Sequence, residues 1–145
     1  MQLNIFNKEL VQEVEPTFDI SFDDVYDGYV KIFENYKLKD VNIVFVDQEQ
    51  IKELNSKYRD IDAGTDVISF EISNEPKVGE IYISPHYVIN AFQGDQFEEE
   101  ILRLIIHGTL HILGYDHKGS LNESPQEEMF SLQEKLLLKY KKICF

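Results

Sequence analysis

The segment from Glu98 to Leu113 dictates what the rest of the chain has to do. Residues 98–106 contain neither Pro nor Gly and are mostly strong helix formers. Ile101, Leu102, Leu104, Ile105, Ile106 and Leu110 wrap widely around such a helix. A helix that is apolar on most sides has to be buried, so other elements must pack around it. The same segment carries His107 and His111. Residues four apart lie one above the other on a helix face, so both imidazoles point the same way. Gly114, three residues after His111, is placed to stop the helix at a left-handed cap. The chain can then turn back and bring His117 toward the other two rings. Three of the chain's four histidines thus fall within one eleven-residue run.

Three neutral imidazoles around one point suit zinc, with copper, iron and nickel as chemical competitors. Three protein ligands plus a water is the catalytic zinc pattern, whereas structural zinc is usually closed by four protein ligands. The expected centre is one Zn2+ per chain, held by His107, His111 and His117 with water in the remaining position. The plainer alternative is three ordinary histidines on an apolar helix. The spacing, with a Gly between the second and third, argues against it. His86 stands alone after Ser84-Pro85 and reads as a surface or helix-start residue. The spacing His-x3-His-x2-Gly-x2-His also occurs in metzincin proteases, where a Glu after the first His acts as general base. Here that position is Gly108, which cannot take a proton. The departure counts against an ordinary zinc peptidase. A Gly inside a helix costs about 1 kcal/mol relative to Ala. It is expected either to let a neighbouring element pack close or to leave room for a substrate.

The remaining segments supply the elements such a helix needs. Residues 2–6 read as a strand. Ser21 to Tyr36 read as a helix capped by Ser21, with Asp23 and Asp24 in its first turn and Val25, Tyr29, Ile32, Phe33 and Tyr36 at helical spacing. Val41 to Val46 form a strand, and Gln48 to Tyr58 a helix capped by Asp47. Val67 to Ile72 and Glu80 to Ser84 are two more strands. Ser84-Pro85 opens a helix to about Phe92, with Pro at the first helical position. Ser124-Pro125-Gln126-Glu127 reads as a capping box. It opens a last helix whose Met129, Phe130, Leu132, Leu136 and Leu137 are expected to face the core. The order implies an α+β fold: about four strands in a small mixed sheet, about five surrounding helices, and the metal-bearing helix buried at the centre.

At 145 residues and 43% hydrophobic, the chain is expected to form a single domain over 1–145. No apolar run approaches the roughly 18 residues of a membrane span. The N-terminus, Met1 to Lys8, lacks the charged and apolar regions of a signal peptide. Cys144 is the only cysteine, so no internal disulfide can form, and its terminal position suggests packing. These features point to the cytoplasm.

The motif His107-Gly108-x-Leu110-His111-x-Leu113-Gly114-Tyr115-Asp116-His117 resembles the signature of the YbeY family of bacterial rRNA-maturation endoribonucleases. The resemblance spans most of the chain. Leu54-Asn55-x-x-Tyr58-Arg59, Thr65-Asp66-Val67-Ile68-Ser69-Phe70 and Gly79-Glu80-Ile81-x-Ile83 are similar to the family's earlier blocks, in the same order. Glu128-Met129-Phe130-x-x-Gln133-x-x-Leu136 is similar to its C-terminal helix. There are departures at Gly64, Glu71, Glu80 and Arg103, the last standing where a His is common. None falls on an expected metal ligand.

The resemblance implies a metal-dependent, single-strand-specific endoribonuclease acting on small-subunit rRNA, in maturation of the 16S rRNA 3′ end and in ribosome quality control. It implies RNA, and the ribosome or its assembly factors, as partners. Two other classes remain: a different zinc hydrolase (a peptidase or amidase), and a non-catalytic module with a structural metal. Arg59 is the residue expected to steady charge on a phosphoryl group, because a guanidinium offers bidentate hydrogen bonds. Its alternative is a surface pairing with Asp60 or Asp62. His111 joins Arg59 as the second catalytic candidate. Asp66 and Asp116 are candidates to orient a ligating imidazole, and Thr65 and Ser69 to contact phosphate. Asn55 is expected at a helix end. The net charge of −13 opposes RNA binding, so a local basic groove built from Lys52, Lys57 and Arg59 is expected.

Overall fold

Helix α5 (Asp95–Ile112) is the buried helix that the apolar pattern requires. Ile101, Leu102, Leu104, Ile105, Ile106 and Leu110 are all inside. The computed structural model describes residues 1–115 and 124–145, the side chains of 124–126 excepted. Around α5 the described residues form β1 (Gln2–Phe6), α1 (Glu9–Val14), α2 (Phe22–Ile32), β2 (Asp40–Phe45), α3 (Gln48–Arg59), β3 (Val67–Ser73), β4 (Val78–Ile83), α4 (Pro85–Ala91) and α6 (Ser124–Cys144). This is the α+β arrangement expected, with a four-stranded mixed sheet and six helices among the described residues.

The strands are ordered β1-β2-β4-β3. β1, β2 and β4 run parallel, and β3 is the antiparallel edge strand, with Ile68 opposite Tyr82 and Ser69 opposite Ile81. One sheet face carries Leu3, Val41, Ile43, Phe45, Ile81 and Ile83 into the main core with α5. On the other face α3 covers part of the sheet, and its Ile51 joins Val46 and Ile68 in a smaller apolar cluster. The alternation of buried and half-buried positions along β2 and β4 is the period-two pattern of strands covered unequally on their two sides.

Two glycines set how closely α5 approaches β4. A Cβ at Gly108 would stand 2.7 Å from Cγ2 of Ile81. A Cβ at Gly79 would run into the side chain of Ile112. Each element therefore pushes an isoleucine into a notch left by the other's glycine. Of the two roles considered for Gly108, close packing is the one observed. The position faces β4, so a side chain there would enter the core. Elsewhere α5 is pinned by polar contacts: Tyr29 shares a 2.9 Å hydrogen bond with Thr109, whose hydroxyl also donates to the Ile105 carbonyl at 2.8 Å. Burial pushes the Tyr29 phenol well above its usual range. Tyr140 of α6 donates to the Val25 carbonyl at 2.6 Å and ties α6 to α2.

Several boundaries differ from those expected. α1 has six residues and buries only Val11, too little for a periodic signal. α2 ends at Ile32 rather than Tyr36, and Phe33 is its C-cap. α5 begins at Asp95, a turn earlier than Glu98. Asp47 and Gln50 form a capping box at the start of α3. Ser84 precedes α4 but makes no side-chain cap bond. Phe130 is 62% exposed and not in the core; Tyr140 is the aromatic that α6 buries. The expected capping box at 124–127 lies outside the described side chains.

The interlock predicts the outcome of Gly108→Ala. Overpacking a core costs about 1–3 kcal/mol, and the β-branched Ile81 has little freedom to retreat. Better helix propensity returns about 1 kcal/mol. Urea denaturation should therefore show a net loss of up to about 2 kcal/mol. An alanine variant more stable than the parent would show that α5 does not seat on β4 as described.

Candidate functional site

The C-terminal end of α5 is shaped by Gly114. Its φ of +101° lies in the region that a side chain rarely tolerates. With Leu113 as C-cap, Gly114 N–H donates to the His111 carbonyl at 3.0 Å and Tyr115 N–H to the Leu110 carbonyl at 2.9 Å. That pair of bonds is a Schellman motif, and it turns the chain sharply away from the helix axis. His107 and His111 sit on the last two turns, half-buried, on the side of α5 that faces β3 and α6.

The two imidazoles meet tip to tip. Their Nε2 atoms are 3.2 Å apart, with ring planes inclined at 79°. Two nitrogens on a tetrahedral zinc at roughly 2.0–2.1 Å would be about 3.3 Å from one another. The observed pair therefore fits two positions of such a centre. At the far side of one ring, His107 Nδ1 is 2.8 Å from Oε1 of Gln133 on α6. Ligating histidines commonly have such a partner on the outer nitrogen. Among the described residues no group of three His, Cys, Asp or Glu completes a metal site. A third ligand therefore has to come from elsewhere. His117 and Asp116 lie outside the described residues.

Both histidines open into a cleft of about 740 Å³. Its other wall is the start of edge strand β3 and the segment leading into it, with Thr65, Asp66 and Ser69, and its rim carries Arg59. The structure thus brings together six of the residues singled out in the sequence, from three separate stretches of chain. Arg59 is in the last turn of α3, exposed, and among the described residues it forms no ion pair. The alternative pairing with Asp62 is not seen: Asp62 sits 3.9 Å from Lys52. Thr65 donates a long 3.5 Å bond to Asp66 Oδ1, and the Asp66 carbonyl accepts from Ser84 N–H at 2.9 Å.

The loop between Arg59 and Thr65 is held from within. Asp60 adopts a left-handed cap with φ of 57°. Asn55 is buried, and its Nδ2 donates to the Ala63 carbonyl at 2.8 Å. Its own carbonyl accepts from Ile61 N–H at 3.2 Å. The role expected for Asn55, a cap at the helix end, is replaced by a tie that fixes the loop carrying Thr65 and Asp66.

Among the described residues, the three cations expected to build a basic groove do not share a cavity. Arg59 lines the cleft, Lys57 lies 5.2 Å over the Tyr58 ring beside a different cavity, and Lys52 borders a third. At about 100° per residue Lys57 falls on a different flank of α3 from Lys52 and Arg59, and Lys52, on the same flank as Arg59, lies two turns away. His86 is half-buried in the first turn of α4, as expected of a helix-start residue. Gln133, which touches His107, was not singled out as a site residue from the sequence. The available signal was a polar residue in the buried stripe Met129, Leu136, Leu137 and Tyr140.

Comparison with known proteins places these features in context. A family model described as endoribonuclease YbeY matches residues 4–141. A protein of Acholeplasma laidlawii named Endoribonuclease YbeY is 39% identical over 145 residues, covering 96% of each chain. One of the same name from Treponema denticola is 41% identical over 118 residues, covering 74% of each. A Thermotoga maritima protein solved in solution superposes with a TM-score of 0.64 at 30% identity, covering 96% of this chain and 89% of its own.

The tie at Asn55 predicts a local effect. Asn55→Ala should cost about 0.5–1.5 kcal/mol, the usual net worth of one hydrogen bond, because the carbonyl of exposed Ala63 can turn to water. Amide exchange should accelerate in residues 60–66 before it does in α5. Unchanged protection of that loop would remove Asn55 from the construction of the cleft.

Proposed function

The chain belongs to the endoribonuclease YbeY family, and from that premise we propose that the cleft is the catalytic site of a metal-dependent endoribonuclease for single-stranded RNA. The finer assignment rests on the family resemblance: a domain spanning residues 1–145 that acts in the cytoplasm on small-subunit rRNA. There it matures the 16S rRNA 3′ end and serves ribosome quality control, in contact with the ribosome or its assembly factors. No helix among the described residues is long and apolar enough to cross a membrane.

The observation that carries the chemistry is the 3.2 Å approach of the His107 and His111 Nε2 atoms within a cleft rimmed by Arg59. His107, His111 and His117 are the residues that would hold Zn2+. When bound, the cation supplies Lewis acidity toward a phosphoryl oxygen and lowers the pKa of a coordinated water. The rest is done by side chains. The Arg59 guanidinium can grip two non-bridging oxygens of the scissile phosphate at once and steady the charge that builds there. Among the described residues its fork has no carboxylate partner to give up first. Thr65 and Ser69 present hydroxyls along the same wall, able to donate to phosphate oxygens and set the register of the strand. Asp66, which lines the same wall, would accept a hydrogen bond from a substrate hydroxyl or an imidazole N–H, and Asp116 adjoins His117 in sequence.

The peptidase alternative is disfavoured by Gly108. Its Cβ direction points at Ile81, so no base on that position could reach the cleft.

Two variants separate metal binding from phosphate handling. Arg59→Ala should keep stoichiometric zinc and lose about 10²-fold or more of rRNA cleavage, the usual cost of removing one oriented donor from a developing charge. His111→Ala should lose both. Arg59→Ala with unchanged RNase activity, or cleavage that survives complete removal of metal by a chelator, would contradict the reading. Hydrolysis of peptides with no action on RNA would favour the other zinc hydrolase class.

A further inference from the structure

The contact between His107 and Gln133 is the end of a longer chain of hydrogen bonds whose direction is set at its far end. Arg103 lies one turn before His107 on α5. Its guanidinium forks onto Glu134 of α6, Nε to Oε2 at 3.0 Å and Nη2 to Oε1 at 3.1 Å. The same guanidinium donates to Glu100 at 2.6 Å and to Glu99 at 3.3 Å, and Lys141 adds a 3.2 Å bond to Glu99. The Arg103 fork holds the Glu134 carboxyl below the usual carboxylate range. Glu100 goes the other way, pushed up by burial despite the same guanidinium. Glu134 is therefore an ionised acceptor with nothing to donate.

Gln133 bonds to both Glu134 and His107, through Nε2 to Glu134 Oε2 at 3.2 Å and through Oε1 to His107 Nδ1 at 2.8 Å. An amide has one donating end and one accepting end. Rotating it by half a turn would set its oxygen against the Glu134 carboxylate. The carboxylate thus forces the NH2 group toward itself and the carbonyl oxygen toward the imidazole. A carbonyl can only accept, so His107 Nδ1 must carry the proton.

We infer that Gln133 is a positioning residue, clamped by Glu134 and Arg103, that fixes His107 as its Nδ1–H tautomer and leaves the Nε2 lone pair aimed into the cleft. This rests on the reading of His107 as a metal ligand. It gives Arg103, a departure from the family pattern, a place in the site: the fork locks Glu134, Glu134 orients Gln133, and Gln133 orients the ring. Because Gln133 is neutral, it holds the ring without placing a further negative charge beside the cation. A carboxylate at that place would do both.

The test uses the full-length protein with nitrogen-15-labelled histidine. In the metal-free protein, with imidazoles neutral, long-range proton–nitrogen spectra should show His107 as Nδ1–H. Gln133→Leu should convert it to a mixture or to Nε2–H, and zinc affinity by chelator competition should fall about 10–100-fold. Gln133→Glu combined with Glu134→Gln, which keeps an acceptor for Nδ1 without setting two carboxylates against each other, should restore both. Glu134→Gln, which leaves Gln133 in place but frees its amide to turn, should give a mixed tautomer. A loss of packing alone would not move the tautomer or be rescued by the double variant. Nε2–H in the parent, or unchanged tautomer and affinity in Gln133→Leu, overturns the inference. An Nδ1–H tautomer in a parent protein that binds no zinc would defeat the metal reading while upholding the role of Gln133 in setting the ring.

Discussion

The close seating of α5 on β4 is the constraint on which the rest depends. Ile81 occupies the notch at Gly108, and Ile112 the notch at Gly79. Interlocked side chains fix both the separation of helix and sheet and the rotation of the helix about its own axis, because packed interiors do not deform smoothly. Rotation is what matters for chemistry. Gly108 turned into the sheet places its neighbour His107, and His111 one turn on, toward the edge strand. The cleft exists because β3 is an edge strand and α5 presents histidines beside it instead of another apolar row.

Charge is handled locally, not globally. The chain carries 27 acidic and 14 basic residues. Near the site the acids Glu99, Glu100 and Glu134 are gathered onto Arg103, with Lys141 at their edge. Arg59 alone of the basic residues named in the sequence reading is left facing the cleft. A surface of this kind attracts phosphate weakly over long distances. Selectivity for RNA then has to come from contacts made inside the cleft and from any partner that delivers the strand.

Much of this was legible in the sequence because the relevant signals are short-range. The buried helix announced itself by apolar residues on nearly every side, and the turn after it by Gly114. The i, i+4 pair of histidines needs only helical geometry. Asp47 and Gln50 cap α3 through bonds three residues apart. What was not legible depends on elements far apart in sequence. Gln133 meets His107 only after α6 has packed beside α5. Asn55 ties down a loop eight residues away, which a helix-end reading could not distinguish from a cap. Lys52, Lys57 and Arg59 do not share a cavity because Lys57 is turned to another flank of α3 and Lys52 stands two turns from Arg59. Phe130 is exposed although its spacing resembles that of its buried neighbours, since which flank of α6 is covered is decided by α2 and α5.

The central proposal is that His107, His111 and His117 hold one cation and leave a position for solvent. X-ray absorption at the zinc edge of the zinc-loaded protein tests it most directly. The account predicts three imidazole nitrogens and one further light scatterer at about 2.0–2.1 Å, in four-coordinate geometry. A shell containing sulfur, a fourth protein ligand in place of water, or an all-oxygen environment would contradict it.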